Sequence, residues 1–377
     1  MHRPFLLRRS RKRIWIAVAM LILAACSSEE TSSNVEVGAL QLPPGFSISV
    51  FAPDVPGARS LAWSPEGVLF VGTRDDVVYA IPDRDGDYVA DTVWTIASGM
   101  NVSNGIAYHE GSLYIAEISR VTRYDNIDET LPELPPPVEV RTDLPTERHH
   151  GWKFIAIGPD NLLYVPVGAP CNVCKDDDER FASILRMGLD GSDLEVFAHG
   201  IRNTVGFDWH PATGALWFTD NGRDLMGDDV PPDELNHAPV PGMHFGFPHC
   251  HGGDILDPEF GAGRDCSEFT PPVQRLGAHV AALGMRFYTG SMFPAEYQGQ
   301  IFFCEHGSWN RSSKIGYRVS RIRLDGDQAV EYEPFVTGWL SGDAVSGRPV
   351  DLLVAPDGSL LVSDDHAGMI YRIVYTG

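Results

Sequence analysis

The stretch LAWSPEGVLFV (61–71) decides the fold, because it joins two short apolar runs through a Ser-Pro-Glu-Gly turn. An apolar run, a turn rich in Pro, Asp or Gly and a second apolar run together predict a β-hairpin. The pattern returns at residues 105–115, 154–165, 206–219, 285–303 and 350–363. The turn glycines Gly67 and Gly111 are 44 residues apart (111 − 67), and a period of about 40–50 residues is typical of propeller blades. Six copies predict an all-β fold, a six-bladed β-propeller.

The two ends of the predicted propeller are expected to meet in one blade. The segment FSISVF (46–51) would add a strand to the blade formed by residues 350–375, which closes the ring and protects its sheet edges. No long helical periodicity follows residue 30, so almost no helix is expected. We therefore assign residues 41–377 to one propeller domain.

The first 25 residues are typical of a bacterial lipoprotein signal peptide. Six basic residues within 3–13 precede an apolar run at 14–23, and LAAC (23–26) resembles a lipoprotein box. The run is short for a bilayer span, and a plain anchor or a cleaved signal without lipid are the alternatives. We expect a lipid on Cys26 as the only membrane contact, a flexible tether at residues 26–40, and a location in the bacterial cell envelope, on the outer membrane and facing the periplasm.

The charge balance excludes some partners. The chain carries a formal charge of −22, and loss of residues 1–25, with six basic and no acidic residues, changes this to −28 (−22 − 6). Such a protein is not expected to bind nucleic acid or an anionic lipid surface. Sugars and other uncharged substrates are allowed, whereas an anionic ligand would require a local basic cluster.

The cysteines fall into three groups. Cys250 and Cys266 flank one loop, and in an oxidising compartment they predict a disulfide. The pair Cys171 and Cys174 lacks the following His that c-type haem requires, and a local disulfide is favoured over a zinc site. Cys304 lies in an apolar strand and is expected to be a buried thiol.

Polar residues stand before every predicted inner strand, where the loops of a propeller meet around its axis. Guanidinium and imidazole groups gathered there predict a pocket for an anionic, planar or polyoxygenated ligand, with an imidazole for proton transfer. Arg59 and Asn104 are equally consistent with loop capping. The full set is Arg59, Asn104, His149, His150, Arg202, Asn203, His279 and Arg348.

Several short motifs occur together in a fixed order. His150 precedes GPD (158–160), and there follow GIRN (200–203), TDNG (219–222), DELN (233–236), GFP (246–248), EHGSWNR (305–311) and GRPVD (347–351). In this combination the mature chain resembles the soluble glucose and sorbosone dehydrogenases that use pyrroloquinoline quinone. The Cys-x-x-Cys loop makes it more similar to the sorbosone-dehydrogenase-like members.

That resemblance implies a quinone cofactor across the end of the axis and oxidation of an aldose to its lactone. His150 would be the general base that takes the proton from the anomeric hydroxyl while hydride passes to the cofactor. Arg202 would polarise a quinone oxygen, Asn203 would hydrogen-bond beside it, and Arg348 would hold a cofactor carboxylate. A periplasmic acceptor would then receive the electrons.

In the cofactor assignment, one basic residue of the family has two candidate positions in this sequence, and two other positions differ from the glucose enzymes. The family's cofactor-binding Lys corresponds to Arg311 or to Lys314, and His279 is also assigned to the cofactor. Val350 stands where the glucose enzymes have a second Arg, and His149 where they have an acidic residue before the base. Loss of that second Arg would weaken cofactor affinity by about 1–3 kcal/mol.

The sequence contains two candidate calcium sites. The resemblance implies an ion held partly by the main-chain carbonyls of Gly222 and Arg223, where it would act as a Lewis acid. Independently, carboxylates spaced as in a calcium loop predict an ion, although the loop lacks Gly at its sixth position and Glu at its twelfth. A solvated acidic turn is the alternative there. The carboxylates are Asp83, Asp85, Asp87 and Asp91.

Two other functions compete with the dehydrogenase. Six-bladed calcium lactonases share the predicted architecture, but their sites centre on carboxylate and Asn ligands rather than on Arg and His. A propeller that only binds a carbohydrate or a protein partner is the other alternative. The sequence has no motif that identifies the sugar.

Overall fold

The computed structural model describes residues 37–377, and β-strands dominate this part of the chain. Its helical pieces are α1 (Ile127–Thr130) and three 3-10 turns at Val37–Ala39, Cys266–Glu268 and Ala295–Tyr297. The expectation of almost no helix is confirmed. Each helix within this range falls short of the length and hydropathy that a membrane span requires.

Six antiparallel sheets follow one another along the chain, so the predicted six-bladed propeller is confirmed. After β1 (Phe46–Ala52), blade 1 comprises β2 (Ala58–Ser64), β3 (Val68–Thr73), β4 (Val78–Pro82) and β5 (Trp94–Ala97). Blade 2 comprises β6 (Gly105–His109), β7 (Ser112–Ala116), β8 (Val121–Asp125) and β9 (Val138–Arg141). Blade 3 comprises β10 (Ala156–Ile157), β11 (Leu163–Val167), β12 (Ser183–Met187) and β13 (Glu195–His199).

The later blades carry an insertion. Blade 4 begins with β14 (Phe207–Trp209), β15 (Leu216–Asp220) and β16 (Glu234–Ala238). Four short strands follow. The first, β17 (Met243–His244), adds in parallel to β13 of blade 3, and β18 (Cys250–His251) pairs with β19 (Ile255–Leu256) in a separate ribbon. The last, β20 (Gln274–Arg275), pairs with β16 and completes blade 4. Blade 5 comprises β21 (Ala282–Phe287), β22 (Ile301–Glu305), β23 (Arg318–Asp325) and β24 (Gln328–Val336). The ribbon β25 (Leu340–Ser341) and β26 (Ala344–Val345) precedes blade 6, formed by β27 (Pro349–Val354), β28 (Leu360–Asp364), β29 (Met369–Tyr375) and β1.

Ring closure follows the prediction. Strand β1 pairs antiparallel with β29, with Phe46 opposite Tyr375, so the first strand of the chain is the outer strand of the last blade. Residues 37–40, which the sequence assigned to the tether, pack on the propeller: Leu40 is buried against blades 5 and 6, and Gln41 pairs with Thr337. The predicted signal peptide, the lipid on Cys26 and the rest of the tether lie outside the described residues.

Apolar clusters between neighbouring blades hold the ring together. Between blades 6 and 1, for example, Leu69 and Val71 pack against Leu361 and Ile370. The second strand of blade 1, β3, is buried along its whole length, and therefore reads as a continuous apolar run rather than an alternating one.

The first strands of the blades surround the axis, where neighbouring ones contact each other. We call the face at which these strands begin, and at which the second strands end, the upper face. A small cluster of Val205, Leu283 and Val350 with Trp152 fills the axis beneath it. Val350 is 2% exposed in this cluster, so an apolar side chain suits this position.

The cysteine predictions are confirmed. Cys171 pairs with Cys174, and Cys250 pairs with Cys266. Cys304 is buried in the core between blades 5 and 6, and it has no disulfide partner among residues 37–377.

Candidate active site

A cavity of about 550 Å³ opens on the upper face at the end of the axis, and loops of blades 1, 3, 4, 5 and 6 contribute to its wall. Its volume lies in the range of about 300–1,000 Å³ that small-molecule sites occupy. Most of the residues predicted for the site lie in its lining, namely Arg59, His149, His150, Arg202, Asn203, Gly222, His279 and Arg348. Asn104 lies outside the lining and acts as a cap, because its Oδ1 accepts a hydrogen bond from Arg59 Nε at 2.7 Å.

His150 has a defined tautomer. Its Nδ1 lies 2.9 Å from the carbonyl oxygen of Ala169, and because a carbonyl can only accept, Nδ1 carries the proton. The other ring nitrogen, Nε2, is then left with a free lone pair. Burial, together with the positive charge of Arg202 and the neighbouring His149, lowers the pKa of His150 to about 2. The imidazole is therefore neutral at physiological pH and can accept a proton.

Four of the five N–H groups of the Arg202 guanidinium donate hydrogen bonds to neighbouring residues. Its Nε donates to Asn172 O at 2.8 Å, its Nη2 to Asn172 Oδ1 at 2.9 Å and to Asp224 Oδ2 at 3.0 Å, and its Nη1 to Asn221 O at 3.2 Å. A guanidinium has five N–H groups, so one N–H on Nη1 has no acceptor in the described part of the chain and is open to a ligand. Below it, the buried Asp220 accepts from the backbone N–H groups of Arg202 and Asn203 and fixes this turn.

The arginines of the cavity differ in their partners. Arg59 pairs with Asp365 at 2.8 Å and Arg202 pairs with Asp224 at 3.0 Å. Arg74, Arg148 and Arg348 line the same cavity, and none of the three has a carboxylate within 4.0 Å in residues 37–377. Within the described residues, the Arg348 guanidinium donates only to two main-chain carbonyls, those of His306 and Gly307, at 3.0 and 2.8 Å. The cavity therefore carries excess positive charge and suits an anionic ligand.

Aromatic surface lies beside these cations. The guanidinium of Arg74 lies 5.0 Å from the ring centre of Trp152, whose Nε1 has no hydrogen-bond partner within the described part of the chain. Trp309 stands at the rim and is 70% exposed. Next to it, the buried Asn310 Oδ1 also has no partner among residues 37–377. Flat apolar surface with polar atoms left for a ligand suits a planar, polar molecule.

Arg311 and Lys314, one of which was predicted to bind the cofactor, do not line the cavity. Arg311 donates to the carbonyl of Asp228 and pairs with Asp229 at 3.0 Å, and thereby joins two rim loops. Lys314 Nζ donates to Asp343 O at 2.7 Å on the exposed surface. Their charges are used by neighbouring loops rather than directed into the site.

His279 lines the cavity with its polar atoms already engaged. Its Nε2 donates to the carbonyls of Gly227 and Val230 at 2.8 and 3.2 Å, which holds the 227–230 loop in place. The backbone of His279 is left-handed, with φ at +62°. The residue therefore shapes the wall rather than offering a free donor.

The residues predicted to bind metal separate into two places. Gly222 lies in the cavity wall, and its N–H donates at 2.9 Å to Asp233, a buried carboxyl of the same wall whose pKa burial raises to about 7. The side chain of Arg223 is directed away from the cavity and pairs with Asp257 at 2.5 Å.

The other predicted calcium ligands lie in the loop between β4 and β5, outside the cavity lining. Ligand oxygens of Asp83, Asp85 and Asp87 are within 4.8 Å of one another. Asp91 is not in this group, and its Oδ2 accepts a hydrogen bond from Arg84 N at 2.9 Å.

Several lining residues escaped the sequence analysis. Arg74 and His306 follow the second strands of blades 1 and 5, β3 and β22, which end on the same face as the loops before the first strands. A search of both loop positions in every blade would have found them. Arg148, Trp152 and Asp224 lie farther from the strand ends, and no periodic signal marks them.

Comparison with known proteins agrees with this architecture. The model of the family described as glucose/sorbosone dehydrogenase matches residues 115–372. An uncharacterised protein of Borreliella burgdorferi is 33% identical over 373 residues, with 93% of each chain covered. The chain therefore belongs to the glucose/sorbosone dehydrogenase family, and its class of activity is that of a sugar dehydrogenase, an oxidoreductase.

Solved structures share the fold at lower identity. A Trichoderma reesei enzyme of carbohydrate-active family AA12 superposes with a TM-score of 0.77 at 21% identity, covering 89% of this chain and 97% of that one. The holo form of the pyranose dehydrogenase PQQ domain from Coprinopsis cinerea gives a TM-score of 0.74 at 18% identity with the same coverage. At these identities the likeness concerns the propeller fold.

Proposed function

We propose that this protein oxidises an aldose, or a related sugar aldehyde, to its lactone or acid with pyrroloquinoline quinone bound in the upper cavity. The observation that carries the proposal is the meeting of three arginines that lack a carboxylate partner in residues 37–377 with a neutral imidazole in one cavity. Family membership and the holo Coprinopsis cinerea domain support the same assignment.

The residues present fit this cofactor, a flat ring system with three carboxylates. Arg74, Arg148 and Arg348 supply cations for carboxylates, and the ring of Trp152 offers a planar surface with an unused Nε1 donor. We assign Arg348 to one carboxylate, because its Nη1 makes no hydrogen bond within the described residues. Asn203 is assigned to a neighbouring polar atom of the cofactor.

Pyrroloquinoline quinone would supply an electrophilic carbonyl that accepts hydride from C1 of the sugar. His150 accepts the proton of the C1 hydroxyl on Nε2, because its Nδ1 proton is held by Ala169. The Nη1 N–H of Arg202 that has no acceptor among residues 37–377 is available to stabilise the oxygen on which negative charge develops. An anion beside His150 favours the imidazolium form, so its pKa rises from about 2 toward the range useful for a base.

We also propose calcium at the wall formed by Gly222 and Asp233. Calcium prefers oxygen ligands, and the buried Asp233 carboxyl has no cationic side chain within 4.0 Å in the described range.

An electron acceptor in the periplasm and a lipid anchor on Cys26 complete the proposal. A Cys26→Ser variant recovered from the soluble rather than the membrane fraction would support the anchor.

The direct test is sugar-dependent dye reduction by the purified apoprotein, with a panel of aldoses, before and after addition of pyrroloquinoline quinone and Ca²⁺. Activity is expected only with the cofactor. His150→Ala should lower kcat by about 10²- to 10⁴-fold, the usual contribution of a general base, whereas His109→Ala, at the end of β6 and outside the cavity, should not.

Three results would contradict the proposal. The first is full activity of His150→Ala. The second is lactone hydrolysis that needs no sugar oxidation and is abolished by a chelator, which would identify a calcium lactonase. The third is failure of the folded protein to bind the cofactor, which would favour a binding propeller.

A further inference from the structure

The loop between β11 and β12 contacts both residues proposed for catalysis. It runs over residues 168–182 without regular secondary structure and contains the Cys171–Cys174 disulfide. Near its start, Ala169 O accepts the His150 Nδ1 proton at 2.9 Å, and Ala169 N donates to Arg202 O at 2.8 Å. One residue of this loop therefore bonds to the base and to the arginine at once.

Asn172, inside the disulfide, fixes the other end of Arg202. Its main-chain oxygen accepts from Arg202 Nε at 2.8 Å, and its Oδ1 accepts from Arg202 Nη2 at 2.9 Å. The same Oδ1 accepts from Asp224 N at 2.8 Å, and Asn172 Nδ2 donates to Asp224 O at 3.1 Å. Asn172 thus uses its carbonyl and both ends of its amide to hold Arg202 and the Arg202 partner, Asp224.

These contacts fix the direction of the guanidinium. Two of the five N–H groups of Arg202 are bonded to Asn172, two to other acceptors, and one, on Nη1, has no acceptor among residues 37–377. Removal of the Asn172 contacts would leave buried donors unsatisfied and let the planar group rotate about its side chain. The remaining N–H of Arg202 Nη1 would then no longer be held in a single orientation.

The Cys171–Cys174 disulfide restrains the part of the loop that contains Asn172. A connection of 15 residues (168 to 182) is long for a compact domain and costs conformational entropy to order. A covalent link between Cys171 and Cys174 closes a small ring around Asn172 and restricts its backbone. The exposed residues that follow, such as Lys175, make no comparable contact with the site.

We infer that the Cys171–Cys174 loop is a positioning element for the site, with Asn172 acting as a positioning residue through Arg202 and Ala169 orienting His150. The kinetic part of this inference rests on the proposed function. Its structural part, that the ring restrains the Arg202 guanidinium, can be measured without turnover.

The first experiment is a double-mutant cycle in the full-length holoenzyme. Asn172→Ala is expected to lower kcat by about 10- to 100-fold, as for a small misplacement of a catalytic group, with little change in the sugar KM. In an Arg202→Lys background, which lacks the planar fork, Asn172→Ala should add less than about twofold. Lys175→Ala, in the same loop, is the control. Equal factors in both backgrounds would overturn the role of Asn172.

The second experiment compares the two disulfides. Cys171→Ser/Cys174→Ser should lower kcat with a small loss of Tm, because its ring is short. Cys250→Ser/Cys266→Ser should lower Tm more, since its ring spans a sequence separation of 16, but should keep kcat. The opposite pattern, or equal kcat for both pairs, would overturn the inference.

A third measurement separates this inference from the proposed function. The Arg202 Nε–H resonance of the apoprotein, assigned by its loss in Arg202→Lys, should exchange with solvent faster in Cys171→Ser/Cys174→Ser than in Cys250→Ser/Cys266→Ser. Unchanged exchange would overturn the positioning role even if the enzyme is active. Faster exchange in a protein without cofactor-dependent activity would support the positioning role while the proposed function fails.

Discussion

His150 illustrates how a residue acquires its chemistry from its surroundings. Its backbone is left-handed, with φ at +50°, and Gly168 lies so close that a Cβ there would be 2.5 Å from the His150 Cβ. The absent side chain at 168 therefore makes room for the imidazole. Once in place, the ring loses solvent and faces Arg202, and both effects favour its neutral form.

A titration of the apoprotein should reveal this directly. Because the pKa of His150 is lowered to about 2, its imidazole should remain neutral, with the proton on Nδ1, from pH 8 down to pH 5. An exposed histidine would gain a proton near pH 6.5 in the same interval. Long-range ¹H–¹⁵N spectra, with His150→Ala for assignment, can follow both nitrogens. Protonation of His150 near pH 6.5 would show that neither burial nor Arg202 controls it.

For single residues, the sequence predicted which side chains reach the cavity better than it predicted which ion pairs they form. The rule that residues before inner strands reach the upper face correctly brought His150, Arg202 and Arg348 to one cavity. It could not show that Arg311 is neutralised by Asp229, because ion pairing depends on two loops whose relative path has no local sequence signal.

At the scale of elements, the strand that closes the ring has one anchoring side chain. Phe46 of β1 lies 4.8 to 5.1 Å, centre to centre, from the rings of Phe293, Tyr297, Phe335 and Tyr375. These rings belong to blades 5 and 6, so Phe46 fastens the N-terminal strand to two blades. Closure of a propeller in this way leaves no open edge between its first and last blades.

Removal of that ring should loosen the closure. Phe46→Ala is expected to lower the free energy of unfolding by about 2–4 kcal/mol, slightly less than for a fully buried Phe. Ser49→Ala, on the exposed face of the same strand, should change it by less than about 0.5 kcal/mol. Chemical unfolding of the two variants provides the comparison. Equal stabilities would mean that β1 adds little to the ring.

Sequence patterns predicted the long strands of the blades but not the short strands of the insertion. Six hairpins and the shared last blade could be read from apolar runs and turn residues. Strands β17 to β20 could not, because each has only two residues and lies in a Gly- and Pro-rich segment without alternation. Around the ribbon of β18 and β19, the Cys250–Cys266 disulfide and the buried Asp257, which bonds to His251 at 2.9 Å, are contacts between residues distant from any periodic pattern.

At the scale of the whole molecule, a strongly acidic protein surrounds a basic cavity. The chain carries a formal charge of −22, yet five arginines line the upper cavity and three of them have no carboxylate within 4.0 Å in residues 37–377. Cations placed on one face against the overall charge of the molecule suit an anionic ligand, as the proposed function requires.

The most direct measurement is a calorimetric titration of the apoprotein with pyrroloquinoline quinone, with and without Ca²⁺. We predict one site per chain, and a loss of about 1–3 kcal/mol, roughly 5- to 150-fold in affinity, for Arg348→Gln, whose charge-assisted contact is removed. Arg372→Gln, which breaks a surface pair with Asp357 on blade 6, should bind as the parent does. No binding by the folded protein, or equal affinity of the parent and Arg348→Gln, would contradict the account.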